Sequence, residues 1–151
     1  MAETRPDATP VLMRIDHVGI ACHDIAAKID FYREIFGLTV ASRERNEEQG
    51  VHEAMLEFPD RAAGGPSYIQ LLEPLSPGTP VGRFLAKRGE GLHHVGYAVP
   101  DIAAALASAD GAGVKLIDKR PRHGAMGASI AFLHPSDMGG VLTELVQPPS
   151  A

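Results

Sequence analysis

A chain that repeats itself must fold so that its two copies pack alike, and this one repeats at an offset of 77 positions. Ile15-Asp-His-Val-Gly-Ile-Ala21 is matched by Leu92-His-His-Val-Gly-Tyr-Ala98, and Asp24-Ile-Ala-Ala27 by Asp101-Ile-Ala-Ala104. Eight of the fifteen positions from Ile15 to Ile29 are identical in the second copy. A second correspondence, Gln70-Leu-Leu-Glu-Pro74 with Glu144-Leu-Val-Gln-Pro148, closes each half in the same order. Two matches in one order make duplication a better account than chance. The chain therefore reads as two tandem modules, about 15–75 and 92–148, within a single domain over 12–148, preceded by a flexible tail over 1–10.

Each half opens with an apolar strand (Ile15–Ala21, Leu92–Val99) followed by a helix with an aspartate, Asp24 or Asp101, placed to cap its first turn. Ile25, Ile29, Tyr32 and Ile35 or Phe36 keep the helical period in the first helix, which Gly37 ends. Three strands are expected after each helix: Leu38–Arg45, Val51–Phe58 and Ser67–Glu73, then Val114–Asp118, Ser129–Leu133 and Val141–Val146. A short helix over Val81–Arg88 fits the linker. The order βαβββ, twice, predicts an α+β fold in which two modules form an incomplete barrel around a cleft.

Composition narrows the function. Fourteen Lys and Arg against nineteen Asp and Glu give a net charge of -5, which argues against general nucleic-acid binding. The single cysteine, Cys22, cannot close an intrachain disulfide. No apolar run approaches the roughly 20 residues of a membrane span, and the first ten residues lack the apolar stretch of a signal peptide. A soluble, cytoplasmic protein is expected.

The chemistry is carried by polar residues in step with apolar strand neighbours. His17 alternates with Ile15 and Gly19, His94 with Leu92 and Gly96, Gln70 with Tyr68 and Leu72, and Glu144 with Leu142 and Val146. His17 corresponds to His94 and Gln70 to Glu144. One strand histidine is most often a hydrogen-bonded core residue, but a duplicated set of two imidazoles, an amide oxygen and a carboxylate suits a divalent metal. It lacks thiolate, unlike closed structural zinc, and four protein ligands leave two positions for a substrate that chelates through two oxygens. By the same alternation His93, the counterpart of Asp16, points to the face opposite His94. Its expected role is structural or substrate-facing, not that of a ligand.

With this quartet the sequence resembles the vicinal oxygen chelate (glyoxalase/bleomycin resistance/dioxygenase) superfamily. Within it, the finer resemblance is to the methylmalonyl-CoA epimerase family. Asn46-Glu-Glu-Gln-Gly-Val-His-Glu-Ala-Met-Leu56, Gly89-Glu-Gly-Leu-His-His94, Phe132-Leu-His-Pro135 and Gly140-Val-Leu-Thr-Glu-Leu145 carry it most specifically. The resemblance implies interconversion of (2R)- and (2S)-methylmalonyl-CoA in propionyl-CoA metabolism, through a metal-stabilised enolate. It implies a homodimer, and one divalent ion, Co²⁺ favoured and Mn²⁺, Ni²⁺, Zn²⁺ or Fe²⁺ acceptable, on His17, Gln70, His94 and Glu144. Glu53 matches the carboxylate proposed as base, and Glu144 is the candidate second acid/base. The strand agrees for Glu53, which alternates with Val51 and Met55 and so shares an apolar face.

Lys119, Arg120, Arg122 and His123 form the densest basic cluster and, with Gly124, are the candidate contacts for a CoA substrate; Lys87-Arg88 is the next. Two alternatives share the scaffold. One is a glyoxalase I-type lyase using a similar quartet, and the other is a metal-free drug-binding module.

Overall fold

The computed structural model describes residues 11–59 and 65–150; the expected tail over 1–10 lies outside them. The first module is β1 (Arg14–Ala21), α1 (Ile25–Phe36), β2 (Thr39–Asn46), β3 (Val51–Glu57) and β4 (Tyr68–Pro74). The linker holds α2 (Pro80–Arg88), and the second module follows as β5 (Gly91–Ala98), α3 (Ile102–Gly111), β6 (Arg122–His123), β7 (Ser129–Leu133) and β8 (Thr143–Gln147). All eight strands join one curled sheet in the order β2-β3-β4-β1-β5-β8-β7-β6. Within each module the first strand pairs parallel with the last, β1 with β4 and β5 with β8, while β1 and β5 pair antiparallel. The sheet is therefore one half of the duplication continued into the other across the β1–β5 seam.

Local chemistry sets the helix ends. The Asp24 and Asp101 carboxylates accept from the N–H groups of Ala27 (3.1 Å) and Ala104 (3.0 Å), the same cap in both copies. Gly37, at φ 73°, turns the chain left-handed after α1. Ile25 and Ile29 pack with Cys22, Ala54, Leu56 and Leu71 on the outer side of the sheet, and Ile102, Ala105 and Leu106 pack with Ala131, Leu133 and Leu145 in the second module.

α1 runs to Phe36 and stops at Gly37 as expected; its Ile35 and Phe36 are 64% and 60% exposed, and Leu38 beyond Gly37 is buried with Ile25 and Ile29. Two expectations are corrected. Val114–Asp118 is not a strand of the sheet, meeting β7 through one bridge, Leu116 to Leu133. The N–H groups of Ile117 and Asp118 share the Phe132 carbonyl, and the Asp118 side chain takes the Phe132 N–H (2.9 Å), so a carboxylate replaces the ladder. Finally, Ile15 and Leu92 are exposed although His17 and His94 are buried. The pairing of β1 with β5 slips between Ile15 and His17 and again between Gly19 and Ile20, opposite Leu92 and His94. These bulges sit at corresponding positions in the two copies.

Candidate metal centre

Glycine makes room for each histidine. His94 lies opposite Gly19 and His17 opposite Gly96 across the β1–β5 seam. A Cβ at Gly19 would stand 2.2 Å from His94 Cε1, and one at Gly96 would stand 2.3 Å from His17 Cε1. The repeated His-Val-Gly thus supplies a ring from one copy and the space for it from the other. The two rings meet edge to face with Nε2 atoms 2.9 Å apart. Glu144 on β8 closes the group, with Oε1 3.5 Å from His17 Nε2 and Oε2 3.3 Å from His94 Nε2. Together the three residues form a buried cluster able to hold a metal ion.

The bulges explain how the rings are held. An extra residue in a strand breaks alternation, so neighbours no longer point to opposite faces. Asp16 is buried beside His17, and its Oδ2 lies 2.8 Å from His17 Nδ1. His93, its counterpart, lies with Nδ1 2.9 Å from His94 Nδ1. The expectation that His93 faces away from His94 is therefore wrong. Carboxylate contact keeps the His17 proton on Nδ1 and leaves Nε2 a bare lone pair. Burial pushes the His93 imidazole down to about 4, and burial with the neighbouring His17 and His93 holds His94 well below its ordinary value, so both rings are neutral. A His94 Nδ1–H donating to His93 presents a second lone pair towards the first.

Two ligand nitrogens each ~2.1 Å from one ion at right angles stand ~3.0 Å apart, close to the 2.9 Å found here. Gln70 on β4 adds to the fit: its Nε2 donates to Glu53 Oε2 (3.0 Å), while its own Oε1 is buried without a partner. An orphaned amide oxygen beside two imidazoles and a carboxylate is a donor set waiting for a cation. The residues present therefore fit a divalent metal. Burial opposes charge on His17, but Glu144, Asp16 and Glu53 outweigh it and raise its pKa.

Glu53 on β3 is 1% exposed, and its Oε1 also lacks a partner. Burial, then the neighbouring charges of Glu44 and Glu144, push it up to about 7. Burial does the same to Glu144, against the opposing pull of His17. Two carboxylates of the sheet interior thus sit in the range useful for moving protons near neutrality.

The basic cluster divides. Lys119 and Arg120 line a cavity against α3, apart from the ligands. Arg122 pairs with Asp118 (3.0 Å) and Glu48 (3.9 Å), and the His123 carbonyl accepts from Gln49 Nε2 (3.1 Å). Of the five candidates, Gly124 shares a cavity with His17, Gln70 and Glu144, and Arg122 lines another with His94. Asp16 and His93 were not picked from the sequence as supports of the ligands, because strict alternation hides a bulge; their one signal is adjacency to His17 and His94 in both copies.

Residues 16–132 match the Glyoxalase/Bleomycin resistance protein/Dioxygenase superfamily, and the chain belongs to it. It is 50% identical to a Streptomyces coelicolor methylmalonyl-CoA epimerase solved in complex with 2-nitronate-propionyl-CoA, with a TM-score of 0.88 over 92% of this chain and 99% of the other. The crystal structure of methylmalonyl-CoA epimerase from Mycobacterium tuberculosis is 37% identical, with a TM-score of 0.88 over 95% and 93% of the two chains. The ethylmalonyl-CoA/methylmalonyl-CoA epimerase of Cereibacter sphaeroides is 36% identical over 136 residues, 89% of this chain and 97% of that protein.

Proposed function

We propose that this chain is an isomerase that interconverts (2R)- and (2S)-methylmalonyl-CoA, with His17, Gln70, His94 and Glu144 holding one divalent ion. The observation that carries the reading is Glu53, a buried carboxylate linked through Gln70 to the ligand set with one oxygen uncommitted. Similarity to epimerases over more than nine-tenths of the chain supports the substrate. His17, Gln70, His94 and Glu144 would hold the ion, which when bound would supply Lewis-acid stabilisation for the negative charge that develops as the α-proton leaves. Glu53 takes that proton at the uncommitted oxygen. Inversion needs a donor on the opposite face, and Glu144, the second buried carboxylate of the sheet interior, is the candidate.

The N/O donor set suits Co²⁺, Mn²⁺, Ni²⁺, Zn²⁺ or Fe²⁺ alike; the resemblance to the epimerase family is what favours Co²⁺. Residues 12–148 act as one domain, since each copy supplies one histidine and its counterpart supplies the glycine facing it. A homodimer is the proposed assembly, for which the exposed Phe31, Ile35 and Phe36 of α1 offer an apolar surface. Among the described residues no helix is long and apolar enough to cross a membrane, and the proposed location is the cytoplasm.

Glu53→Gln tests the assignment. Exchange of the substrate α-proton with D₂O should fall at least a hundredfold while bound metal stays at the wild-type ratio. Exchange at the wild-type rate removes Glu53 from the mechanism.

A further inference from the structure

The curled sheet ends in β2 on one side and β6 on the other, and among the described residues no ladder joins these two edges. Side chains of the first module join them instead. Glu44 on β2 accepts from the Met126 N–H (2.9 Å), Gln49 Nε2 donates to the His123 carbonyl (3.1 Å), and the Glu48 carboxylate meets Arg122 (3.9 Å).

What they hold is the tip of a hairpin. Arg122 and His123 pair with Ile130 and Ser129, so β6 and β7 are its arms and residues 124–128 its tip. β6 has two residues, and a ladder that short is the kind of local structure that opens readily. The tip keeps its own shape: the Gly124 N–H donates to the Ala128 carbonyl (3.0 Å) and the Ala128 N–H to the Ala125 carbonyl (3.1 Å). Met126, at φ 58°, is the one non-glycine residue with a positive φ among the described residues, and Gly127 follows at φ 75°. A non-glycine residue keeps that conformation only where its surroundings impose it, and here it comes with the Met126 N–H bonded to Glu44.

The tip also covers the ligand cluster. Gly124, Ala125 and Ala128 wall the space that His17, Gln70 and Glu144 border, and it holds ≈ 20 Å³, room for about one water. A molecule that offers two oxygens to one ion is several times that size. The neighbouring cavity of ≈ 240 Å³ touches the ligand set at His94 alone, and Gln49 lines both spaces. A chelating ligand therefore cannot meet His17, Gln70 and Glu144 together while the tip is held. Glu44 is exposed, and both hydrogen bonds of the latch lie at the surface, where water competes for their groups. Of the walls around the cluster, this one opens at least cost.

We propose that residues 124–128 are a flap over the metal centre, latched shut by Glu44 and Gln49, and that the flap swings open to admit a chelating ligand. Glu44 is a positioning residue, acting through the Met126 N–H that it holds. This rests on the metal-dependent reading above and adds how the centre is reached.

The test compares the wild type with E44A and E44Q. Glutamine keeps an oxygen for the Met126 N–H, and alanine does not. Nitrogen-15 NMR of the metal-free proteins gives the hydrogen-exchange rate of the Met126 amide, which should be at least tenfold faster in E44A and close to the wild type in E44Q. Stopped-flow mixing of the Co²⁺-loaded proteins with acetohydroxamate, a small two-oxygen chelator, reads its entry in the visible spectrum of the ion. Its binding should be at least tenfold faster in E44A at unchanged metal content, with E44Q again close to the wild type. Equal rates of either process in wild type and E44A, or no binding of the chelator to any of the three, overturn the proposal. So does an E44Q variant as fast as E44A, which would assign the effect to the charge of Glu44. The metal reading fails separately: a wild type that takes up no Co²⁺ refutes it, and the amide exchange still decides the latch.

Discussion

At the scale of single residues, the centre depends on groups that never touch the ion. Asp16 and His93 hold the Nδ1 atoms of His17 and His94, and outer partners of metal-bound histidines typically contribute 10–100-fold in affinity. Asp16→Asn and His93→Phe should each weaken Co²⁺ binding by about that factor in chelator competition; wild-type affinity in both would remove them as supports. Gly19→Ala and Gly96→Ala act more severely, because a methyl at 2.2 or 2.3 Å must displace the opposing ring. Both variants should lose stoichiometric metal while the circular dichroism of the sheet persists. Cys22 is a separate residue-scale case. Burial pushes its thiol up to about 12 from an ordinary 9.0, so it should resist alkylation at pH 8 until the protein is unfolded. Because the folded state keeps this proton longer than the unfolded one, its contribution to stability is complete below pH 9 and falls as pH rises to about 12. The alkaline limb of a urea-denaturation series should therefore be shallower in Cys22→Ala. The proposed ligands stood out in the sequence because two positions carry the same polar intrusion in both copies. It did not display Asp16 and His93, since alternation assigns neighbours to opposite faces and a bulge is set by pairing, not by one strand's pattern.

At the scale of elements, what could be read depended on how local the cause was. Both caps and the first module's strands were legible, because an aspartate before an apolar period or an alternating run acts over a few residues. Asp24→Ala and Asp101→Ala should each cost about 1 kcal/mol in denaturant unfolding at fixed metal concentration, and the double variant about 2, since the helices lie in different modules. A single cap accounting for the whole loss would show that the modules do not share the device equally. The second module's missing strand had a cause no propensity reveals: the Asp118 carboxylate occupies the Phe132 N–H that a ladder would have used.

At the scale of the whole molecule, the 77-residue offset announced a shared site but not the sheet order that makes it. The seam between β1 and β5 brings His17 to His94, and neither copy alone holds more than one imidazole and one of Gln70 and Glu144. Metal binding must therefore stabilise the fold of both modules together. At a free ion concentration a hundred times the Kd, the gain is about 2.7 kcal/mol, and a chelator should lower the Tm of the entire transition, not of a part. Two separated transitions after chelation would contradict a single cooperative unit. The central claim is the removal of the substrate's α-proton at this centre. It is tested most directly by proton NMR of racemic methylmalonyl-CoA in D₂O with Co²⁺-loaded protein. The α-proton signal should disappear for both configurations and stop disappearing when chelator is added; a signal that persists at the uncatalysed rate with metal bound would contradict the account.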